Sequence, residues 1–304
     1  MKLHKHKERF IELIRAASKH YGIPAAQVER DYFVTLFLRR ASEKIPGLLF
    51  KGGLCLSKCN KAIDRLSEDV DLTLDADHFT QAPKREANKA IVAIADKLGF
   101  VIADREAVEK RSFGDYNAYT LIYPTAFPTE GIRPEICVKM TFLQKSYPDS
   151  LSAADSYIGE YLREIGQREV AEQYDLRDFP IRVQTLKRTF VDKVFALCDY
   201  YMSGQADGNS KHIYDLYRLL SRVDVNELTL RLFVEKVRRE RKKSRGALSA
   251  QDGVRVSALL GEIAGSEFYR KDYERVTSKL LLKPVPYEVA ITALKQIADS
   301  KAFD

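Results

Sequence analysis

Asp69 and Asp71 stand two apart in the run DVDLTL. On a strand, both side chains leave the same face, while Val70 and Leu72 leave the other. Two carboxylates on one face offer oxygen ligands to a hard divalent cation, Mg²⁺ or Mn²⁺. The same spacing fits a polar strand edge with no chemistry. Upstream, Gly52 and Gly53 follow the apolar run LLFK. Glycines let bare backbone N–H groups approach phosphate oxygens without Cβ obstruction. A helix that starts there favours an anion at its first turn. Ser57 and Lys58 fall in the first turns of that helix, and Arg65 and Ser67 lie just before the carboxylates. One strand–turn–helix–strand unit thus offers a triphosphate cradle and a metal site, an arrangement suited to nucleotidyl transfer from an NTP.

Further along, Lys193 sits beside an apolar stripe of Phe190, Val194, Leu197 and Tyr201. A lysine there either snorkels to solvent or faces a cleft. Asp215 is either a helix-surface acid paired with Lys211 or a functional carboxylate. His212 beside it reads as structural. The run KVRRERKKSR (236–245) carries Arg238, Arg239, Lys242 and Lys243. It is either a solvated helix face or a surface that tracks RNA phosphates. Residues 181–304 hold 23 Lys/Arg against 16 Asp/Glu, so the whole net charge of +7 lies there and residues 1–180 are neutral. Cys55 and Cys59 are spaced C-x3-C without a nearby Cys/His pair, which argues for small apolar helix residues rather than zinc.

The elements that must position these residues follow from periodicity and breakers. Helices are predicted over 6–20 and 25–44, then a short buried strand at 48–51. A helix over 54–63 and an alternating strand at 69–75 follow. Next come a helix at 83–98, strands at 115–124 and 132–143, and a helix over 151–172. After Phe179-Pro180 the pattern is helical: 184–203, 211–221, 227–243, 250–264, 270–281 and 286–300. The resulting expectation is an α+β chain. Residues 1–180 form an N-terminal domain with a small mixed sheet flanked by helices, and residues 181–304 a helical bundle. At 304 residues the chain is long enough for two cores. No apolar run reaches the ~18–20 residues of a membrane span. The N-terminus MKLHKHKERF lacks a signal peptide's apolar stretch, so the expected location is the cytoplasm.

The pattern FKGG-x-x-LSK followed by RLSEDVDL resembles the AbiEii/AbiGii-type toxin nucleotidyltransferases, a branch of the polymerase-β-like superfamily. VERDYFVTLFL (28–38) is similar to the family's EKDY-x-V-x-x-L helix, with Arg30 where a lysine is usual. LKRTFVDKVFAL (186–197) and KHIYDLYRLL (211–220) resemble its later segments, in the same order. The resemblance implies that Asp69 and Asp71 hold Mg²⁺ and that Gly52, Gly53, Ser57, Lys58, Arg65 and Ser67 bind the nucleotide. It implies that Lys193 contacts the triphosphate, that Asp215 is the last catalytic aspartate, and that the two lie in a cleft facing the metal pair. Ser67 matches a serine that some members phosphorylate, where added charge would crowd the site. The implied function is that of a toxin whose partners are tRNA or other RNA and a cognate antitoxin, with nucleotide added at a tRNA acceptor end. One departure stands out: Lys139 occupies the place of a usual glutamate, and Glu135 lies four residues away, about 13 Å along a strand. Two other readings stay open. The acceptor is a protein or small molecule, or the chain is an inactive module that binds RNA or a partner. A kinase is disfavoured because no P-loop or kinase-type Gly-rich loop is present.

Overall fold

Alternating and fully apolar runs become one seven-stranded mixed sheet, ordered β3-β4-β5-β2-β1-β7-β6. The computed structural model describes residues 2–75, 77, 78, 80–110, 114–129, 133–142 and 146–304. They form two units, one from the residues up to 59 and from 68 to 183, the other from 60–67 and 184–304. The first unit runs α1 (Lys7–Tyr21), α2 (Ala25–Lys44), β1 (Leu48–Lys51), α3 (Gly52–Lys58), β2 (Asp69–Leu74) and α4 (Gln81–Leu98). It continues through β3 (Val101–Ile102), α5 (Arg105–Lys110), β4 (Tyr116–Ile122), β5 (Glu135–Thr141), β6 (Asp149–Ala154), α6 (Tyr157–Glu164) and α7 (Arg168–Gln173) to β7 (Phe179–Gln184). The ends of the strand expected at 132–143 fall outside the described residues.

The central strands have one dry face. Val70, Leu72 and Leu74 of β2, and Ile136, Val138 and Met140 of β5, are buried in one cluster with Val28, Phe33 and Phe37 of α2 and Ile91 and Ala95 of α4. Each such side chain contributes roughly 1.5–3 kcal/mol of burial. The alternate residues Asp69, Asp71, Glu135, Cys137 and Lys139 are half-buried on the opposite face. Period-2 patterning therefore sets both the core and the candidate site.

Two local expectations fail for identifiable reasons. The helix expected over 151–172 is instead β6, α6 and α7. Ser156 caps α6 by accepting from the Gly159 N–H at 3.0 Å, and Gly166 at φ +76° separates α6 from α7. The strand β7 was masked by its proline. Phe179, Ile181 and Val183 point inward while Pro180 and Arg182 are exposed, and Val183 pairs with Phe50 of β1 in parallel.

The second unit is helical: α8 (Leu186–Met202), α9 (Lys211–Leu219), α10 (Leu228–Arg241) and α11 (Val256–Gly265). Then come α12 (Arg270–Asp272), a π-helical stretch (Tyr273–Thr277), α13 (Ser278–Leu280), α14 (Tyr287–Ala290) and α15 (Thr292–Asp299). Thr185 caps α8 by accepting from the Arg188 N–H at 3.4 Å. Phe190, Val194 and Leu197 of α8 are fully buried, as are Ile213 and Leu216 of α9, Leu260 of α11 and Leu294 of α15. Residues 60–67 belong here because their backbone pairs with the chain after α13: Leu66 N–H donates to Leu280 O at 2.8 Å and Leu282 N–H to Asp64 O at 2.9 Å. Among the described residues no helix is long and apolar enough to cross a membrane.

Candidate active site

Strand register assembles the site face of the first unit. β2 runs parallel to β5, with Asp69 opposite Cys137 and Asp71 opposite Lys139. On its other side β2 is antiparallel to β1, with Asp71 opposite Lys51. A row Lys51–Asp71–Lys139 therefore crosses three adjacent strands, with opposite charges as immediate neighbours. β4 pairs with β5 without interruption from Ile122↔Glu135 to Tyr116↔Thr141. No bulge shifts Glu135 toward Asp71, so the position beside Asp71 belongs to Lys139. Its ammonium donates to Asp69 Oδ2 at 2.7 Å. Burial pulls the Lys139 pKa down, but the hydrogen bond and the charges of Asp69 and Asp71 outweigh it, holding the group above its ordinary value and cationic. Burial, reinforced by Asp69, pushes the neighbouring Cys137 thiol up to about 11, so it stays protonated at neutral pH.

Gly52 heads α3 with φ +79°. A Cβ there would lie 2.1 Å from Asp71 Oδ2. Only glycine lets this turn close against the carboxylate, because it accepts the left-handed conformation and has no side chain. Gly53 follows in the first turn. Ser57 is half-buried and its hydroxyl donates back to Leu54 O at 3.1 Å. Asp69 and Asp71 give hard oxygen donors on one face, and among the described residues no cluster of three His, Cys, Asp or Glu side chains is gathered for a metal. Such a pair fits one Mg²⁺-like cation, which characteristically completes its shell with substrate phosphates and water. A cavity of about 290 Å³ opens beside Asp69, lined by Gln27, Arg30, Glu68, Arg133, Glu135 and Cys137.

Lys58 departs from its expected role. Its ammonium donates to Asp31 Oδ1 at 2.6 Å, Thr35 Oγ1 at 2.8 Å and the Asp155 carbonyl at 2.6 Å. All three of its donors are spent, and it is buried. It pins α3 to α2 instead of meeting a nucleotide. The VERDY segment is explained the same way. Glu29 accepts from Thr125 Oγ1 at 2.5 Å and the Ala126 N–H at 2.6 Å. Arg30 donates to the carbonyls of Glu135, at 3.2 Å, and Glu68. Asp31 also accepts from the Tyr157 N–H at 2.9 Å. These residues brace the strands that carry the carboxylates. Sequence reasoning missed Asp31, a half-buried acid one helical turn before Thr35, because its charged neighbours Glu29 and Arg30 give no local sign that it takes a buried lysine.

In the second unit, Asp215 is fully buried and accepts three charge-assisted bonds. Arg65 binds it in a fork, Nε to Oδ1 at 2.7 Å and an Nη to Oδ2 at 2.8 Å, and Lys193 Nζ reaches Oδ2 at 2.6 Å. Burial would raise the carboxyl, but the charges of and bonds from Arg65 and Lys193 prevail and hold it far below the usual carboxylate range. Asp215 is thus a counter-ion that orients two cations, neither a surface acid nor a partner chosen from its own helix. Lys193 does not snorkel; it is buried beside the α8 stripe. Burial and the nearby Lys193 keep His212 neutral. Next to this cluster, Arg218 pairs with Asp64 at 2.7 Å. Ser67 is half-buried at the end of the same segment.

The basic run divides by helix face. Arg238 turns inward, donating to Val254 O at 3.0 Å and to Phe303 O, so it is not the solvent-facing cation expected of it. Arg241 is buried against Asp192 and Asp199. Lys242 pairs with Asp252. Arg239 and Lys243 are exposed.

The profile of a family described as "Nucleotidyl transferase AbiEii toxin, Type IV TA system" matches residues 36–298. No curated protein sequence matches significantly. Among solved structures, that of JHP933 from Helicobacter pylori is 13% identical, with 88% of this chain and 89% of that one covered and a TM-score of 0.46. The family match spans both units, from α2 to α15. It includes Gly52, the Asp69–Asp71 pair, Lys193 and Asp215: the chain belongs to the AbiEii family of nucleotidyltransferase toxins of type IV toxin–antitoxin systems.

Proposed function

We propose that the protein transfers a nucleoside monophosphate from an NTP to RNA, with the tRNA 3′ acceptor end as the favoured acceptor. The observation that carries this reading is the pairing of Gly52, closed to within contact of Asp71, with two carboxylates on one sheet face. In the reaction an RNA hydroxyl oxygen forms a bond to the α-phosphorus. The bond from that phosphorus to the pyrophosphate oxygen breaks, and the hydroxyl proton is lost to base or water. Held by Asp69 and Asp71, Mg²⁺ would supply Lewis-acid stabilisation of the charge that builds on the transferring phosphate. Asp69 and Asp71 orient that charge, and Gly52 and Gly53 leave room for phosphate oxygens. The family implies a cognate antitoxin as protein partner.

The test is incubation of the purified protein with each labelled NTP, Mg²⁺ and total RNA, resolved on a denaturing gel. Labelled RNA that disappears in Asp69→Asn and Asp71→Asn supports the reading. Label on protein or on a small molecule moves the acceptor to those classes. The salt bridge from Lys139 to Asp69 favours one alternative, a module that binds RNA without transferring to it; RNA binding without transfer under every NTP would establish it.

A further inference from the structure

We propose that the cavity beside Asp69 receives the terminal nucleoside of the acceptor RNA, with its free hydroxyl toward the carboxylate pair. The inference rests on the nucleotidyl-transfer reading and deepens it. β2 lies between β1 and β5 in the sheet. On the β1 side, the chain turns at Gly52 directly after Lys51, and this turn closes on the Asp71 carboxylate. In an in-line displacement the attacking oxygen and the leaving pyrophosphate lie on opposite sides of the phosphorus. With the pyrophosphate over Gly52 and Gly53, the attack comes from the β5 side. There the cavity of about 290 Å³ opens, bordered by Asp69 and by Glu135 and Cys137 of β5.

The chemistry of the walls agrees with that side. Glu68, Asp69 and Glu135 bring three carboxylates to the cavity, and Arg30 and Arg133 bring two guanidiniums. Lys139, bonded to Asp69 at 2.7 Å, brings the cations level with the acids. Lys51 stands across β2, opposite Asp71 on β1. The cavity thus has no surplus of positive charge, and a triphosphate needs one. A nucleoside is neutral, and its hydroxyls and base N–H groups are donors that carboxylates accept. Gln27, in the first turn of α2, adds an amide that both donates and accepts. The protonated Cys137 thiol adds no charge. Arg30 donates to the carbonyls of Glu68 and Glu135, which ties the start of β2 to the start of β5 and fixes the walls. Arg133 is exposed, so its guanidinium can meet the phosphate on the 5′ side of the terminal residue. The volume lies near the lower end, roughly 300 Å³, of small-molecule sites. It suits one nucleoside rather than a stacked strand.

The experiment follows transfer from labelled NTP to RNA in the full chain as the RNA concentration is varied. Direct binding of a non-hydrolysable NTP with Mg²⁺ is the second readout. Gln27→Trp, which fills the cavity from α2, should lower kcat/KM for RNA by about 10²-fold and leave NTP affinity within about threefold of the parent. Glu135→Gln, which removes a carboxylate acceptor, should raise KM for RNA by about tenfold. A third readout needs no variant: RNA with a photoreactive base at its 3′ end should crosslink, in the parent, to the peptides that carry Gln27 and Cys137. Unchanged kcat/KM for RNA in a folded Gln27→Trp chain would overturn the inference. Loss of NTP binding in that folded chain would also overturn it, because the cavity would then hold the NTP. Crosslinks confined to other peptides would overturn it as well, and would leave the transfer reading intact. A parent that labels no RNA would overturn the transfer reading and this inference together.

Discussion

Replacing Asp215 by Asn should cost the second unit about 3–5 kcal/mol, the usual result of removing one member of a buried ion pair. Asn keeps the shape but loses the charge and exchanges one acceptor oxygen for a donor NH₂. Arg65 and Lys193, whose side chains are 3% and 8% exposed, would then stay buried beside a neutral group. The sum is not three separate bonds, because all three meet one carboxylate and are coupled. Against a total stability of about 5–15 kcal/mol, the loss is large. The carboxyl's folded pKa is depressed below its unfolded value of about 3.9. Its stabilisation is therefore complete above that unfolded value and is lost only as pH falls through the lower folded one. The difference between parent and variant should be flat from pH 6 to 8. Urea unfolding followed by far-UV circular dichroism suits a chain with no Trp. With a slope of about 3 kcal/mol/M, the midpoint should drop by about 1–1.7 M. Hydrogen exchange in peptides from α8 and α9 would assign the loss to this unit. A loss under about 1 kcal/mol, or Arg65→Met and Asp215→Asn effects that simply add, would refute the buried counter-ion role.

Gly52→Ala should reduce transfer at least tenfold, since its Cβ would displace the Asp71 carboxylate; unchanged kcat/KM in the labelled-RNA assay would contradict the cradle. Lys58→Met should lower stability by about 2–4 kcal/mol by stranding Asp31 and two further acceptors, while NTP affinity in the folded fraction stays within about threefold of the parent. A thermal midpoint equal to the parent's would mean that the three bonds are not made in solution. Neutralising Arg239 and Lys243 should flatten the log–log salt dependence of RNA binding by about two units if both contact phosphate. Arg238→Ala should instead lower stability and leave the slope alone, because its guanidinium is held by Val254 and Phe303. Equal slopes for all variants would make the run a solubilising face.

Much was legible because it depends on local periodicity. The carboxylates had to share a face, since alternation is a property of any strand, and Val70 and Leu72 fixed which face was dry. The glycine after an apolar run marked a turn, and the motif order placed the chain in its family. What sequence periodicity could not supply was which partner each charged residue finds. Lys58 and Lys193 look alike in sequence, each a lysine beside apolar helix positions. Only the tertiary structure gave Lys58 to Asp31, Thr35 and a carbonyl, and Lys193 to Asp215. Parity alone left Glu135 and Lys139 equivalent on one face; strand register set Lys139 beside Asp71. Residues 60–67 joined the second unit through backbone bonds to Leu280 and Leu282, far along the chain. The physical reason is range. Side-chain face and turn chemistry are set within a few residues, whereas ion pairing and register depend on which distant segments the core brings within bonding distance.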